Sequence, residues 1–131
     1  MCDFGPNPAT IQPPGVMGGP LAVFPEIWKD RHCVVLSARF GMAVVVPFST
    51  VAPKKVEHFH HRIPAGKYPF FAANEENWAK CDLIESVSNA RLDRPFVGGR
   101  HEIVNLDAAD LRSIRQAVLH ALALGFLTGH L

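Results

Sequence analysis

Two β-branched runs separated by a short stretch form the clearest pattern in the chain. Residues 33–37 read CVVLS and residues 42–47 read MAVVVP. Uninterrupted runs of this kind and length are typical of buried strands. Residues 38–41, ARFG, fit a tight turn between them. The pattern therefore predicts a β-hairpin over residues 33–47.

Further segments after the hairpin also have the texture of strands. Residues 56–63 roughly alternate between apolar and polar side chains, as expected for a strand with one solvated face. Residues 78–88 predict another strand, and residues 100–106 predict a last, short one. Residues 64–77 predict a loop with an apolar tip, and residues 91–96 predict a short structured connection.

The end of the chain changes to a helical period. Apolar side chains share one helical stripe at Leu111, Ile114, Val118 and Leu122. We therefore predict an amphipathic helix over residues 107–125, with Asp107 as its N-cap, Asp110 favouring the helix dipole and Gly125 as its stop. A helix of this kind most often serves only to cover one side of a small sheet.

The start of the chain does not suit regular structure. Residues 1–4 resemble the end of a strand, and residues 5–28 form a loop whose first part is dense in proline and glycine. A length of 131 residues fits one domain over residues 1–131. The expected fold class is mainly β with α: an antiparallel, barrel-like sheet with the C-terminal helix packed on it.

Composition narrows the classes of function. The formal net charge of +1 gives no global electrostatic case for nucleic acid, so any phosphate binding must be local. Three cysteines without CxxC spacing suggest neither a disulfide framework nor a zinc ribbon. The first residues lack the basic and apolar regions of a signal peptide, and no stretch is long enough for a membrane span, which favours a reducing cytoplasm.

Polar side chains at the two ends of the predicted hairpin are the first candidates for chemistry. Arg31 stands before the first strand, with Lys29 and His32 beside it, and its guanidinium can hold a phosphate with two hydrogen bonds. Ser49 and Thr50 follow the second strand, where hydroxyls either bind a phosphate oxygen or cap a turn. A solvated arginine and a turn cap are the commoner uses of these residue types.

Two other positions carry titratable groups of interest. Asp82 falls inside the apolar run predicted over residues 78–88, where an acid is costly unless it is paired. Such an acid either serves as a base or is a structural acid bonded to its surroundings. In a strand, His58 and His60 share one face at a spacing compatible with metal ligands, although plain surface histidines are commoner there.

Taken in order, these segments resemble the PemK/MazF family of type II toxin–antitoxin endoribonucleases. The family's Asp-Phe pair after the first strand corresponds to residues 2–4, CDF, and its arginine before a β-branched strand corresponds to residues 31–37, RHCVVLS. Its strand ending in a proline and hydroxyl residues corresponds to residues 46–50, VPFST. The basic, small and acidic positions before a later strand correspond to residues 80–84, KCDLI, and RLDR at 91–94 also fits.

The resemblance implies a small SH3-like, MazF-type antiparallel β-barrel closed by a C-terminal helix. It further implies a homodimer, inhibited by an antitoxin protein, that cuts single-stranded RNA without a metal or other cofactor. Arg31, Ser49 and Asp82 match the family's catalytic positions as phosphate clamp, phosphate-contacting hydroxyl and base. The expected substrate-binding residues are Lys29, His32, Thr50 and Lys80.

The chain departs from the family pattern at several positions, which keeps two other functions open. His32 stands where a proline is usual, and Ser49 stands where threonine is common. One alternative is a binding module on the same barrel, acting through a protein partner at Trp28 and the apolar tip at residues 68–71. The other is a metal-dependent hydrolase that uses His58 and His60.

Overall fold

Short antiparallel strands, followed by one α-helix, make up the part of the chain that the structure describes. The computed structural model describes residues 1–3 and 30–131. Its strands are β1 Cys2–Asp3, β2 Asp30–Arg31, β3 Cys33–Arg39, β4 Met42–Ser49, β5 His60–Ile63, β6 Asn77–Lys80, β7 Glu85–Ser88, β8 Phe96–Val97 and β9 Arg100–His101. Helix α1 spans Ala108–Ala121, and 3₁₀ turns span Asn89–Arg91 and Gly125–His130.

The predicted hairpin is confirmed as β3 and β4. Its turn is tighter than the sequence suggests, because Arg39 pairs with Met42 and only Phe40 and Gly41 lie between the strands. Both turn residues have positive φ, 53° and 77°, the geometry of the two-residue turn that matches the twist of paired strands.

Strand β4 is the central strand of the larger sheet. It pairs with β3 along one edge, and along the other edge it pairs first with β7 and then with β6. The change of partner falls around Pro47, which has no N–H to donate to a neighbouring strand. Strand β5 pairs with β6, which gives the strand order β3-β4-β6-β5. Among the described residues, β3 and β5 are the outer strands of this order.

The two faces of this sheet carry different side chains. On one face, Val46, Phe48, Ile63 and Ala79 are buried in a cluster that includes Ile114 and Val118 of α1. The other face has a smaller buried cluster, formed by Cys2, Ala43, Val45 and Val87. The predicted antiparallel sheet with a C-terminal helix packed on it is therefore confirmed.

Several predicted boundaries are wrong. The single strand predicted over residues 78–88 is two strands, β6 and β7, separated by a turn in which Leu83 N–H donates to Lys80 O at 3.0 Å. The strand predicted over 56–63 is shortened to β5, and the one over 100–106 is shortened to β9. The loop predicted over 5–28 lies outside the described residues.

The helix prediction is confirmed at its start and wrong at its end. The Asp107 side chain accepts a hydrogen bond from Asp110 N–H at 2.7 Å, as an N-cap does. The helix stops at Ala121, four residues before the predicted stop at Gly125. None of the helices in the described part of the chain is long and apolar enough to cross a membrane.

Candidate functional site

The register of β4, β6 and β5 places polar side chains on the sheet face opposite α1. Ser49 pairs with Trp78, and Lys80 follows Trp78 by two residues, so all three share one face. His60 pairs with Lys80, which adds the outer strand to the same face. Because Lys80 is diagonal to Ser49 across the strands, their Cβ atoms are expected about 7–8 Å apart.

Arg31 reaches this face from the other side of β4. The pairing of Cys33 with Pro47 continues one position further, where Phe48 N–H donates to His32 O at 2.9 Å. Arg31 itself pairs with Cys2 of β1. Extension of the β3–β4 register by one more residue predicts Arg31 opposite Ser49, and alternation of side chains then predicts that it shares the face of Pro47 and Ser49.

The Arg31 guanidinium has an unmet hydrogen-bonding requirement. Arg31 is half-buried, and its Nε is buried without a hydrogen-bond partner among the described residues. A buried donor left without an acceptor costs about 1–3 kcal/mol. The side chain therefore has a donor suited to an acceptor that the described part of the chain does not supply.

Ser49 caps a turn, which is the commoner of the two uses expected of a hydroxyl at a strand end. Its Oγ accepts a hydrogen bond from Val51 N–H at 3.2 Å, which caps the bend after β4. That contact uses an oxygen lone pair and leaves the hydroxyl hydrogen to donate to another acceptor. Thr50 lies exposed in the bend itself.

Asp82 lies in the turn after β6, not inside a strand. Its side chain is 41% exposed, and its carboxylate is 3.9 Å from His60 Nε2. The expectation of an acid within an apolar strand is therefore wrong, because the turn carries Asp82 out of the sheet. Its neighbour is His60 of β5, whereas Ser49 lies on β4, on the other side of β6.

Lys80 and His60 are the titratable groups closest to Asp82 along this edge. Burial lowers the pKa of Lys80, and the negative charge of Asp82 opposes that shift. Burial also lowers the pKa of His60, with Asp82 again opposing and Lys80 adding to the shift.

The sequence marks His60 only as a metal-ligand candidate. Its place beside Asp82 appears only in the register, since no local motif links residues 60 and 82.

Among the other predicted substrate-binding residues, His32 packs on the aromatic side chains of the core. His32 packs against Phe71 and Phe70, with ring centroids 5.2 Å and 6.0 Å away. Burial lowers the pKa of His32. Alternation along the chain puts His32 on the face opposite Arg31. Lys29 lies outside the described residues.

The structure also shows where it places the residues on which the two alternative functions depend. His58 lies before β5 and its ring contacts that of His120 at 4.8 Å, so it shares no strand face with His60. Within residues 1–3 and 30–131, no group of three or more His, Cys, Asp or Glu side chains is arranged to hold a metal ion. Phe71 is buried, and Tyr68 packs against the core, so this segment is not an exposed tip. Trp28 lies outside the described residues.

Comparison with known proteins agrees with the fold. Over residues 20–122 the chain matches the family described as "PemK-like, MazF-like toxin of type II toxin-antitoxin system". Among solved structures it is similar to the Mycobacterium tuberculosis toxin MazF-mt6, with a TM-score of 0.56 and 17% sequence identity over 76% of this chain and 92% of that chain. No curated protein matched the sequence. Because the family match covers most of its length, the chain belongs to the PemK-like, MazF-like family of type II toxins.

Proposed function

We propose that this protein is the toxin of a type II toxin–antitoxin pair and acts as a metal-independent endoribonuclease on single-stranded RNA. The observation that carries the proposal is the strand register, which puts Ser49 and Lys80 on one face and, when extended past Cys33, predicts Arg31 on the same face. Two cations and a hydroxyl on one face suit a phosphodiester. Family membership supplies the toxin class.

The proposed reaction is an attack of the ribose 2′-oxygen on the adjacent phosphorus. A base takes the 2′-OH proton, the O2′–P bond forms, and the P–O5′ bond breaks as the 5′-oxygen gains a proton. The products are a 2′,3′-cyclic phosphate end and a 5′-hydroxyl end. The reaction therefore needs a base, an acid and positive charge near the phosphorane oxygens.

Each requirement has a candidate side chain. Arg31 binds the non-bridging oxygens through its guanidinium, and the Ser49 hydroxyl donates to the same phosphate. Asp82 is exposed and able to take the 2′-OH proton. Lys80, whose pKa burial lowers, is a stronger acid than an ordinary lysine and is suited to protonate the 5′-oxygen.

The test is incubation of the purified protein with a long RNA in EDTA. We expect fragments with cyclic-phosphate ends from the unmodified protein, and a loss of about 100-fold or more in rate for Arg31→Ala, the scale for removing a transition-state donor. Arg115→Ala removes an exposed arginine of α1 and is the matched control, expected to cleave normally. Full-length RNA after long incubation with the unmodified protein would exclude the enzyme.

The proposal extends to partners and compartment. We propose a homodimer in the cytoplasm, held inactive by an antitoxin protein. Expression of the unmodified protein alone is expected to arrest growth of a bacterial host, whereas the Arg31→Ala variant is tolerated.

A second candidate is a binding module without catalysis, and it rests on exposed apolar side chains. Phe40 is fully exposed at the hairpin tip, and Ile103 and Phe126 are 71% and 77% exposed. Such side chains suit a protein partner. The RNA assay separates the two functions, since a binding module leaves RNA intact in every variant.

A further inference from the structure

The His60 ring is oriented by its own turn. Glu57 N–H donates to His60 Nδ1 at 3.0 Å, and His60 N–H donates back to Glu57 O at 3.0 Å. The side chain is only 8% exposed. These contacts fix the orientation of the ring through the backbone of Glu57, without a contribution from substrate.

The same hydrogen bond determines which ring nitrogen carries the proton. A backbone N–H can only donate, so Nδ1 of His60 must be the acceptor and lack a hydrogen. A neutral ring therefore carries its hydrogen on Nε2, the atom 3.9 Å from Asp82 Oδ1. That distance is longer than a hydrogen bond, and a small shift of the exposed Asp82 side chain on substrate binding is enough to close it.

Burial of His60 favours its neutral ring. The groups that face it are Asp82, Lys80 and Glu57. Burial lowers the pKa of His60 and Lys80 lowers it further, while the two carboxylates oppose the shift. A neutral donor can hold the Asp82 carboxylate without neutralising its charge, so the carboxylate remains able to accept a proton.

We propose that His60 is a positioning residue, which holds the Asp82 carboxylate through Nε2–H so that the second carboxylate oxygen faces the 2′-OH. This inference rests on the proposed function. The Asp82 side chain is 41% exposed, and His60 is the only ion-pair partner that the described part of the chain gives it. Partners that orient a reacting group are typically worth 10–100-fold in activity.

Two substitutions separate this role from a structural one. His60→Asn keeps an oxygen near the Nδ1 position, able to accept from Glu57 N–H, and loses the reach to Asp82. His60→Gln places an amide N–H near the Nε2 position. We expect kcat for RNA cleavage to fall about 10–100-fold in His60→Asn with KM little changed, and to be largely kept in His60→Gln.

A double-variant cycle tests whether His60 acts through Asp82. In an Asp82→Asn background, His60→Asn is expected to cause no further loss of rate, because the group it positions is gone. Additive losses would overturn the proposal, and so would His60→Asn cleaving like the unmodified protein. Thermal melts of each variant identify any that fail to fold, and His60→Gln then provides the second comparison.

A titration followed by NMR tests the contact without cleavage. Because the Asp82 charge raises the pKa of His60 against burial, Asp82→Asn is expected to lower that pKa, whereas Glu76→Gln, an exposed pair of Arg62, leaves it unchanged. An unchanged His60 pKa in Asp82→Asn would overturn the inference. Intact RNA from the unmodified protein, beside a normal Asp82 effect on His60, would instead overturn the proposed function alone.

Discussion

At the scale of single residues, Phe40 conflicts with its own backbone. Its φ of 53° is in the left-handed region, where a bulky side chain costs about 1–2 kcal/mol, and its ring is fully exposed and gains nothing from burial. Asn-Gly is the preferred pair for this two-residue turn. We expect Phe40→Asn to raise the stability by about 1 kcal/mol, seen as a higher urea midpoint.

The matched control for that substitution is Val51→Asn, which replaces another exposed apolar residue outside the hairpin turn. It is expected to leave the midpoint within about 0.5 kcal/mol. Equal rises in the urea midpoint for the two variants would show that replacing an exposed apolar side chain, and not turn geometry, explains the higher stability.

At the scale of single residues, one relation in the candidate site could be predicted from the sequence and another could not. The pairing of Cys33 with Pro47 was predictable, because an antiparallel hairpin brings the start of its first strand beside the end of its second, and the closeness of Arg31 and Ser49 stays a prediction from it. The link between His60 and Asp82 was not predictable, since it depends on how β5 pairs with β6 across a 13-residue connection between Ile63 and Asn77. No local pattern specifies such a register.

At the scale of elements, sequence reasoning failed where a turn lacks the usual residues. The segment from Trp78 to Ser88 contains no glycine or proline, so a lone Asp82 is the only residue whose type favours the turn at residues 81–84. The helix start was predictable because Asp107 carries its own capping side chain. The helix end was not, since the chain leaves the helix at Leu122 with apolar residues continuing beyond it.

A polar cluster at the start of α1 joins three parts of the fold. Asp110 accepts from His61 Nε2 at 2.9 Å and from the Tyr68 hydroxyl at 2.6 Å, and Lys67 Nζ lies 2.6 Å from it. Asp110 is only 5% exposed, and burial alone would raise its pKa. The hydrogen bonds from these three partners outweigh burial and hold the pKa below its usual value.

That cluster predicts a pH-dependent contribution to stability. A carboxyl whose pKa is lowered by folding stabilises the protein above its unfolded pKa of about 3.9, and this contribution is lost as the pH falls through the folded pKa. Asp110→Asn is expected to cost about 2–4 kcal/mol near neutral pH, because Lys67, His61 and Tyr68 lose the buried charge that they bind. Urea unfolding should show the cost shrinking below about pH 4.

The control for the cluster is Glu76→Gln, which removes a carboxylate from an exposed pair with Arg62. Exposed pairs contribute about 0–1 kcal/mol, so its effect is expected to be small at every pH. A cost of Asp110→Asn that stayed constant from neutral to acidic pH would show that shape, and not charge, explains its effect.

At the scale of the whole molecule, the net charge of +1 constrains the RNA binding that we propose. A nearly neutral chain has no broad basic field, so the proposed binding depends on the few cations at the site. The fold class could be predicted from the sequence, because hydrophobic runs and one amphipathic helix specify it. The arrangement of strands around β4 could not be predicted from the sequence, because β4 pairs with β7 along its first part and with β6 at its end.

The proposed binding of RNA by a few cations at the site predicts how the affinity for RNA depends on salt. Each phosphate neutralised on a single strand contributes about 0.7 to the slope of log affinity against log salt. With an Asp82→Asn background to prevent cleavage, Arg31→Ala and Lys80→Ala are each expected to reduce the slope by about 0.7, measured by fluorescence anisotropy of a labelled RNA. Arg115→Ala, on the exposed side of α1, should leave the slope unchanged. A slope that fell equally in all three variants would mean that RNA is held by the charge of the whole surface, and the assignment of Arg31 and Lys80 to one phosphate-binding face would then be wrong.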